Sequence, residues 1–409
     1  MVNTPSSTSD SEIAIIGTGP AGLMAAFELA KAGHPVTLYE KRPGPGRKLL
    51  IAGSSGLNIT FDAASLEFAA SYRESSPQFS RILETFSPSD WIAFIERMGI
   101  RTFKGTSRRY FVEGMKASIL LKTWVDQLLA MGVRIEYQQE CVGFEVTSGG
   151  VLLQLQKENV LASRSFKAVC FCLGGGSWEP KETPLRWPSL FKNQGIEFEE
   201  FVSSNVGFKV DWPAALLKEA EGLPLKNIVL QSAKGARSGD AVITSYGIEG
   251  TPVYFAGVLG NVNLDLKPDL TESQMLQKLE NVRENLSPMR RVKKVLQLSP
   301  AALALVFHLT PKGEQADARL LVQRIKKFPL LLTERQPLAE AISSSGGISW
   351  NEVDLSVERF LMLRRFPGVF LAGEMLNWDA PTGGFLIQGS VSSGHVAARS
   401  LSLFVKNSG

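Results

Sequence analysis

The chain has little of what several protein classes require. Only three cysteines, Cys141, Cys170 and Cys172, occur in 409 residues. They are too few for a disulfide framework and lack the spacing of a metal-ligand set. The only histidines are His34, His308 and His395, so neither a structural zinc site nor any other metal site is expected. No apolar run approaches the roughly 20 residues of a membrane span; the longest obvious one is Ala301 to Leu309. The first ten residues lack the basic-then-apolar order of a signal peptide and read as a flexible tail. A cytoplasmic location without a membrane partner is the expectation. Neither a repeat nor a low-complexity tract is present. What remains is an ordinary globular composition, 44% hydrophobic and 21% charged, in a chain long enough for two or three domains.

The informative stretch lies near the N-terminus. Ile13-Ala14-Ile15-Ile16 suits a strand buried on both faces. Gly17-Thr18-Gly19-Pro20-Ala21-Gly22 follows, a G-x-G-x-x-G. In such a turn the first glycine permits the bend. The second lets backbone approach a pyrophosphate, and the third lets helix pack on strand. Leu23, Ala26, Phe27 and Ala30 then share one helical face, and Gly33 reads as its cap. Val36 to Glu40 is a second strand ending in an acid. Glu40 lies 18 residues beyond Gly22, close to the spacing of about 20 for a carboxylate on a ribose. Together these elements specify an α/β dinucleotide-binding unit with phosphate on the helix N-terminus. No second fingerprint of this kind occurs, so a dedicated nicotinamide domain is not expected.

Lys41 to Thr60 is too glycine-rich and polar for a core element. Arg47 and Lys48 offer charge to phosphate and Asn58 offers an amide to a heterocycle edge; an ordinary basic surface loop is the alternative. Residues 62–100 read as helical, 104–115 as a loop carrying Arg108 and Arg109, and 116–131 as an amphipathic helix. Leu121, Trp124, Val125, Leu128 and Leu129 mark its apolar face. Cys141–Val146 and Val151–Leu155 form a hairpin. Ala168 to Leu173 is a buried strand running into Gly174-Gly175-Gly176, a second glycine turn suited to the same nucleotide. Cys170 and Cys172 share one face of it and read as core.

Residues 184–267 break into short strands and suggest a mainly β insert; residues 268–344 suggest a helical subdomain, with Leu303, Leu305, Leu320 and Ile325 among its core candidates. Between Arg283 and Arg335, 11 Lys/Arg stand against 4 Asp/Glu in a chain of net charge +4. This is either a solvated helix face or a surface for RNA or another polyanion. Near the C-terminus, Gly368 to Glu374 is an apolar strand ending in a glycine–acid pair, and a helix follows from about Phe385 to Val405. Glu374 can hold a sugar-like chain by its hydroxyls. The helix N-terminus beyond Thr382 can stabilise negative charge on a ring.

The chain resembles the bacterial YhiN/BaiN-like flavoproteins, of the glutathione-reductase-type FAD superfamily, from about Ile13 to Val405. The likeness rests on Gly17 to Leu23, Gly46-Arg47-Lys48-Leu49-Leu50-Ile51-Ala52-Gly53, Met115-Lys116-Ala117-Ser118, Leu173-Gly174-Gly175, and Ala372-Gly373-Glu374 through Pro381-Thr382-Gly383-Gly384-Phe385. Where many relatives carry Gly-Gly-Gly-Arg-Cys-Asn, this chain has Ser54-Ser55-Gly56-Leu57-Asn58, without the arginine and the cysteine. The resemblance implies a Rossmann-type α/β FAD-binding domain of residues 11–183 and 345–405, interrupted by the β insert and the helical subdomain. It implies FAD in an extended pose. Gly17, Gly19, Pro20, Ala21 and Gly22 would meet the pyrophosphate, and Glu40 and Lys41 the adenosine ribose. Arg47, Lys48 and Asn58 would run along the cofactor. Val142 would lie beside the adenine, and Leu173, Gly174 and Gly175 near the pyrophosphate or ribose. Gly373 and Glu374 would take the ribityl chain, and Thr382, Gly383, Gly384, Phe385, Ile387 and Gln388 the isoalloxazine.

The resulting expectation is an FAD-dependent oxidoreductase reducing a C=C bond of a small molecule, with NAD(P)H as transient reductant. Substrate would enter between the FAD domain and the insert. One alternative is reduction of uracil in RNA to dihydrouridine, using the basic stretch. Another is a non-enzymatic flavin-containing module. No carboxylate pair or histidine is placed so as to name a catalytic acid or base.

Overall fold

The structure, a computed structural model, describes residues 13–53, 56–105, 107–179, 185–282 and 284–408. The expected N-terminal tail, Ser54 and Ser55 lie outside them. The chain forms two compact units, one of residues 1–202 with 343–409 and the other of residues 203–342.

The first unit is built on a five-stranded parallel sheet. Its order is Val369–Leu371, Ala168–Phe171, Ile13–Ile16, Val36–Glu40 and Arg134–Tyr137. Ile13–Ile16 is central and wholly buried, which explains its unbroken apolar sequence. The register sets Ile16 opposite both Tyr39 and Phe171, and Phe171 opposite Leu371. Four strands therefore end together at one edge of the sheet, where ligands of open α/β sheets bind.

Helices cover this sheet. Pro20–Lys31 follows the glycine turn, with buried Leu23, Ala26 and Leu29 on the strands. The C-terminal helix Phe385–Asn407 lies against it. The approach is close enough that a Cβ on Gly394 would fall 2.3 Å from the Ala21 carbonyl oxygen. This accounts for Gly394; Gly389 is small for another reason, its Cβ position lying 2.8 Å from the Tyr72 ring. The 62–100 stretch resolves into helices Ser65–Ala70, Ser76–Thr85 and Pro88–Arg97, the last opened by a Ser87–Asp90 capping box.

Several sequence readings need correction here. Residues 104–115 are not simply a loop. Arg109–Val112 pairs with Asn58–Phe61 on one side and Thr102–Lys104 on the other. The polar 41–60 segment likewise contributes helix Arg47–Ala52 and a strand whose Ile59 and Thr60 are buried. In the helix Ala117–Ala130, Leu120 rather than Leu129 joins Leu121, Trp124 and Leu128 in the core, and Leu129 is exposed. The predicted hairpin gains a third strand, Val160–Phe166. That strand is exposed over most of its length, so no apolar alternation marked it.

The second unit carries a six-stranded antiparallel sheet. Its order is Phe208–Lys209, Gly247–Gly250, Gly235–Thr244, Pro224–Ser232, Gly260–Asp265 and Phe328–Leu332. Sheet residues Ile228, Leu230 and Leu264 share one core with Val292, Leu305, Leu321 and Ile325 of the helices. Phe328–Leu332, read from sequence as the end of the helical stretch, is a strand with strict alternation of buried and exposed residues. Leu320, expected in the core, is exposed.

Candidate functional site

The glycine turn assigns a different task to each glycine. Gly17 has φ +108°, and a Cβ there would lie 2.3 Å from the Cys172 carbonyl oxygen. Its N–H donates to the Tyr39 carbonyl at 2.8 Å, so the turn is stitched to the next strand. A Cβ on Gly22 would lie 1.9 Å from the Gly17 oxygen, so this glycine permits the close helix–strand contact. Gly19 is ordinary extended backbone, with nothing within 4 Å of a Cβ position. It caps the Pro20–Lys31 helix without any side-chain hydrogen bond, and Pro20 occupies the first turn. The helix N-terminus thus faces open space with unpaired N–H groups, an anion site by construction.

Around this opening the four strand ends supply side chains. Glu40 Oε2 accepts from the Thr18 N–H at 3.2 Å and hydroxyl at 2.5 Å, and Oε1 accepts from the Arg42 N–H at 2.9 Å. The carboxylate is held rigidly, with lone pairs to spare for a hydroxyl. The basic loop folds inward rather than into solvent. The Lys48 ammonium donates to the Gly175 carbonyl at 2.6 Å and the Arg47 guanidinium to the Trp178 carbonyl at 2.8 Å. Glu179 meets Arg42 at 2.8 Å and both Lys41 and Lys48 at 3.7 Å.

The charges in this cluster perturb one another. Burial lowers the pKa of Lys48 while Glu374 and Glu179 oppose that shift. Burial raises the Glu374 carboxyl; Lys48 pulls it back and Asp379 pushes it further up. For Glu179 burial works upward, but Lys48, Lys41 and Arg42 together hold the carboxyl below its usual range. The Cys172 thiol lies 3.7 Å from that of Cys170, and burial pushes it far up. It therefore stays protonated and is no nucleophile.

One pocket gathers most of the residues singled out from sequence. Gly17, Gly19, Pro20, Ala21, Glu40, Lys41, Arg47, Lys48, Leu173, Gly174, Gly373 and Glu374 all line it. Thr18, Tyr39, Arg42, Cys172, Glu179, Trp187 and Ser390 line it as well and were not anticipated as site residues. Glu179 carried one signal, being the first acid after the second glycine turn.

The remaining predicted residues lie elsewhere in the same unit. Gly22 is a packing residue. Val142 lines a neighbouring groove with Glu140, Cys141 and Arg186. Gly175 backs onto Ser344, whose hydroxyl accepts from the Gly176 N–H at 2.8 Å.

Residues 382–388 form a second cluster with strand Asn58–Phe61. A Cβ on Gly384 would lie 2.6 Å from the Thr60 backbone, and one on Gly383 would lie 3.1 Å from Arg109 Nε. Phe385 packs on Phe61 and Phe68, and its carbonyl accepts from the Tyr72 hydroxyl at 2.7 Å. Ile387 is half-buried against the core. Gln388 is fully buried and donates to Ser392 at 2.9 Å. Among the described residues, the buried side-chain oxygens Asn58 Oδ1, Thr60 Oγ1 and Gln388 Oε1 have no hydrogen-bond partner, a cost that folded cores normally avoid. Thr382 and these residues do not line the pocket opened by Gly17.

Comparison with known proteins bears on the family and the fold. Residues 11–400 match the family described as HI0933-like protein Rossmann domain, and the chain belongs to that family. It is 23% identical over 406 residues to the ribosomal RNA dihydrouridine synthase of Escherichia coli (strain K12), covering 95% of this chain and 97% of that one. It is 22% identical over 406 residues to the protein of the same name from Haemophilus influenzae, covering 96% and 98%. Among solved structures it is similar to a flavocytochrome c3 fumarate reductase in its open conformation. The TM-score is 0.56 at 15% identity, covering 98% of this chain and 79% of that one. The fold is the α/β Rossmann-type FAD-binding fold. Among the described residues no helix is long and apolar enough to cross a membrane, and no group of three or more His, Cys, Asp or Glu is placed to hold a metal.

Proposed function

We propose that this protein is an FAD-dependent oxidoreductase in which residues from both ends of the sequence hold one cofactor. The observation that carries the reading is the shared pocket: Gly17 and Gly19 line it together with Glu40, Lys48 and Glu374. The fit is chemical as well as spatial. A pyrophosphate needs backbone N–H groups and room, and Gly19 at an uncapped helix start offers both. A ribose needs a fixed acceptor, and Glu40 is fixed. A polyhydroxyl chain needs a carboxyl able to donate or accept, and a Glu374 with raised pKa does either.

When bound, FAD supplies hydride transfer at its ring. The protein's own part is to bind, orient and shield. Lys48, held by the Gly175 carbonyl, sets a fixed positive charge beside the cofactor's path. Gly383, Gly384 and the unpaired oxygens of Asn58, Thr60 and Gln388 suit the ring end. NAD(P)H would reach the ring transiently, since the sequence holds a single dinucleotide fingerprint. The favoured reaction is reduction of a C=C bond in a small molecule.

A second reading, reduction of uracil in RNA, is favoured by the name that the Escherichia coli and Haemophilus influenzae relatives share, ribosomal RNA dihydrouridine synthase. The protein as purified should be yellow, and NADH or NADPH should bleach it without oxygen. Reoxidation by an added unsaturated acceptor or by unmodified ribosomal RNA distinguishes the two substrates. A colourless protein carrying NAD would remove the FAD assignment.

A further inference from the structure

We infer that, if RNA is the substrate, its single strand lies on the turn Phe255–Gly260, an inference that rests on the second reading above. Part of the sequence's positive run is consumed internally, although Arg290, Lys293, Arg319 and Lys327 are exposed and among the described residues have no carboxylate within ion-pair distance. Lys294 pairs with Glu284 and Arg324 with Glu314, while Lys326 pairs with Asp265 and donates to two backbone carbonyls. Arg291 donates to the carbonyls of Leu286 and Leu279. These cations stabilise the helices and offer little to a phosphate.

The turn beside the sheet gathers its cations around an exposed ring that carries a guanidinium. Phe255 and Leu259 are exposed there. The Arg237 guanidinium stands 5.6 Å over the Phe255 ring, Arg335 donates to the Gly257 carbonyl, and the Lys234 ammonium lies 3.1 Å from a Cβ position on Gly257. All three cations are exposed, and among the described residues none has a carboxylate within ion-pair distance; the nearby Glu334 is taken by Lys209. The end of the short helix Thr251–Ala256 accounts for only about half a unit of negative charge, so three cations exceed what it needs. Exposed cations around an aromatic and guanidinium face are the elements of single-strand binding: charge follows the backbone and planar groups stack on bases.

The test is anisotropy of a labelled unstructured RNA with the flavin-loaded protein between about 50 and 200 mM salt. Each lost phosphate contact lowers the salt slope by about 0.7. Lys234→Gln/Arg237→Gln should therefore lose about sevenfold less affinity than wild type over that range. Phe255→Ala should bind roughly tenfold more weakly at both salts, with an unchanged slope. Unaltered flavin content and melting temperature show that the variants fold; Lys234→Gln alone, at an exposed position, serves if the double variant does not. Wild-type RNA binding that these changes leave intact, or that Arg290→Gln/Lys293→Gln reduces instead, overturns the inference. Failure of wild type to bind any RNA overturns the RNA reading itself. Binding of phosphatidylserine vesicles through the same residues, without RNA binding, makes the turn a membrane site and also overturns it.

Discussion

Replacing Gly19 and Gly22 by alanine separates holding a ligand from holding the fold. At Gly22 the new methyl would sit 1.9 Å from the Gly17 oxygen. Helix and strand would have to part by about 1 Å in a close-packed core. Overpacking of this severity, against backbone rather than a movable side chain, destabilises by about 3 kcal/mol or more. At Gly19 the methyl meets nothing within 4 Å, and the backbone is already in a region open to any residue. Alanine is a poorer N-cap by roughly 1 kcal/mol. Stiffening the unfolded chain offsets about 0.4–1 kcal/mol of that. The net change is under about 1 kcal/mol. At about 2–4 °C per kcal/mol for a unit of this size, apo Gly19→Ala should melt within about 4 °C of apo wild type. Apo Gly22→Ala should fall by about 6 °C or more. Flavin content should fall in both, but in Gly19→Ala because the methyl occupies the approach to phosphate. Calorimetry on stripped protein and absorbance of protein as purified give the two readouts. If Gly19→Ala keeps stoichiometric flavin, the helix start is not where phosphate binds. If Gly22→Ala melts with wild type, the packing argument fails.

Three further outcomes follow from the site. Glu374→Ala should weaken flavin retention on dilution more than Cys172→Ala does, because in the proposed pose the carboxyl takes hydroxyls whereas the protonated thiol only packs; the reverse order would undo that ranking. Glu179, held low by three cations that outweigh its burial, contributes stability that is present above the ordinary carboxylate value and is lost as pH falls through the depressed one. The melting-temperature gap between apo wild type and Glu179→Gln should therefore narrow below about pH 4, and a gap constant down to acid would refute the ion cluster. Tyr72→Phe removes a buried donor from the Phe385 carbonyl and should destabilise the apoprotein by about 1–2 kcal/mol by denaturant titration; no loss would mean that the carbonyl is satisfied without it.

The parts of the site legible in sequence are those where backbone geometry dictates residue type. Gly17 needs a positive φ, Gly22 a missing Cβ, and the buried parallel strands an unbroken apolar run. Each leaves a local mark. The basic loop was legible as chemistry but ambiguous in place, because Arg47 and Lys48 find their partners in the Gly175 and Trp178 carbonyls more than a hundred positions away. Glu179 and Arg42 were missed for the same reason. Strands Asn58–Phe61 and Arg109–Val112 were missed because each is short and half-buried, so neither shows a period. The charge count between Arg283 and Arg335 overstates the free charge, because Arg291, Lys294, Arg324 and Lys326 are engaged within the fold. It sums formal charge, whereas a partner meets only charge that the fold leaves unpaired.

The pocket also ties ligand binding to the completion of the fold. Val369–Leu371 is the edge strand of the parallel sheet, and its partner Ala168–Phe171 lies some 200 positions earlier. Until that strand docks, neither Gly373 nor Glu374 lines the pocket. Contacts of such separation form against a large loop-closure entropy. A ligand that touches Gly19 at one end of the chain and Glu374 at the other binds only the docked state. At a hundred times its dissociation constant it stabilises that state by about 2.7 kcal/mol. Glycines that only pack, such as Gly22 and Gly394, act on docking and lose ligand as a consequence. Gly19 acts on the ligand and loses only the stability that the ligand had added.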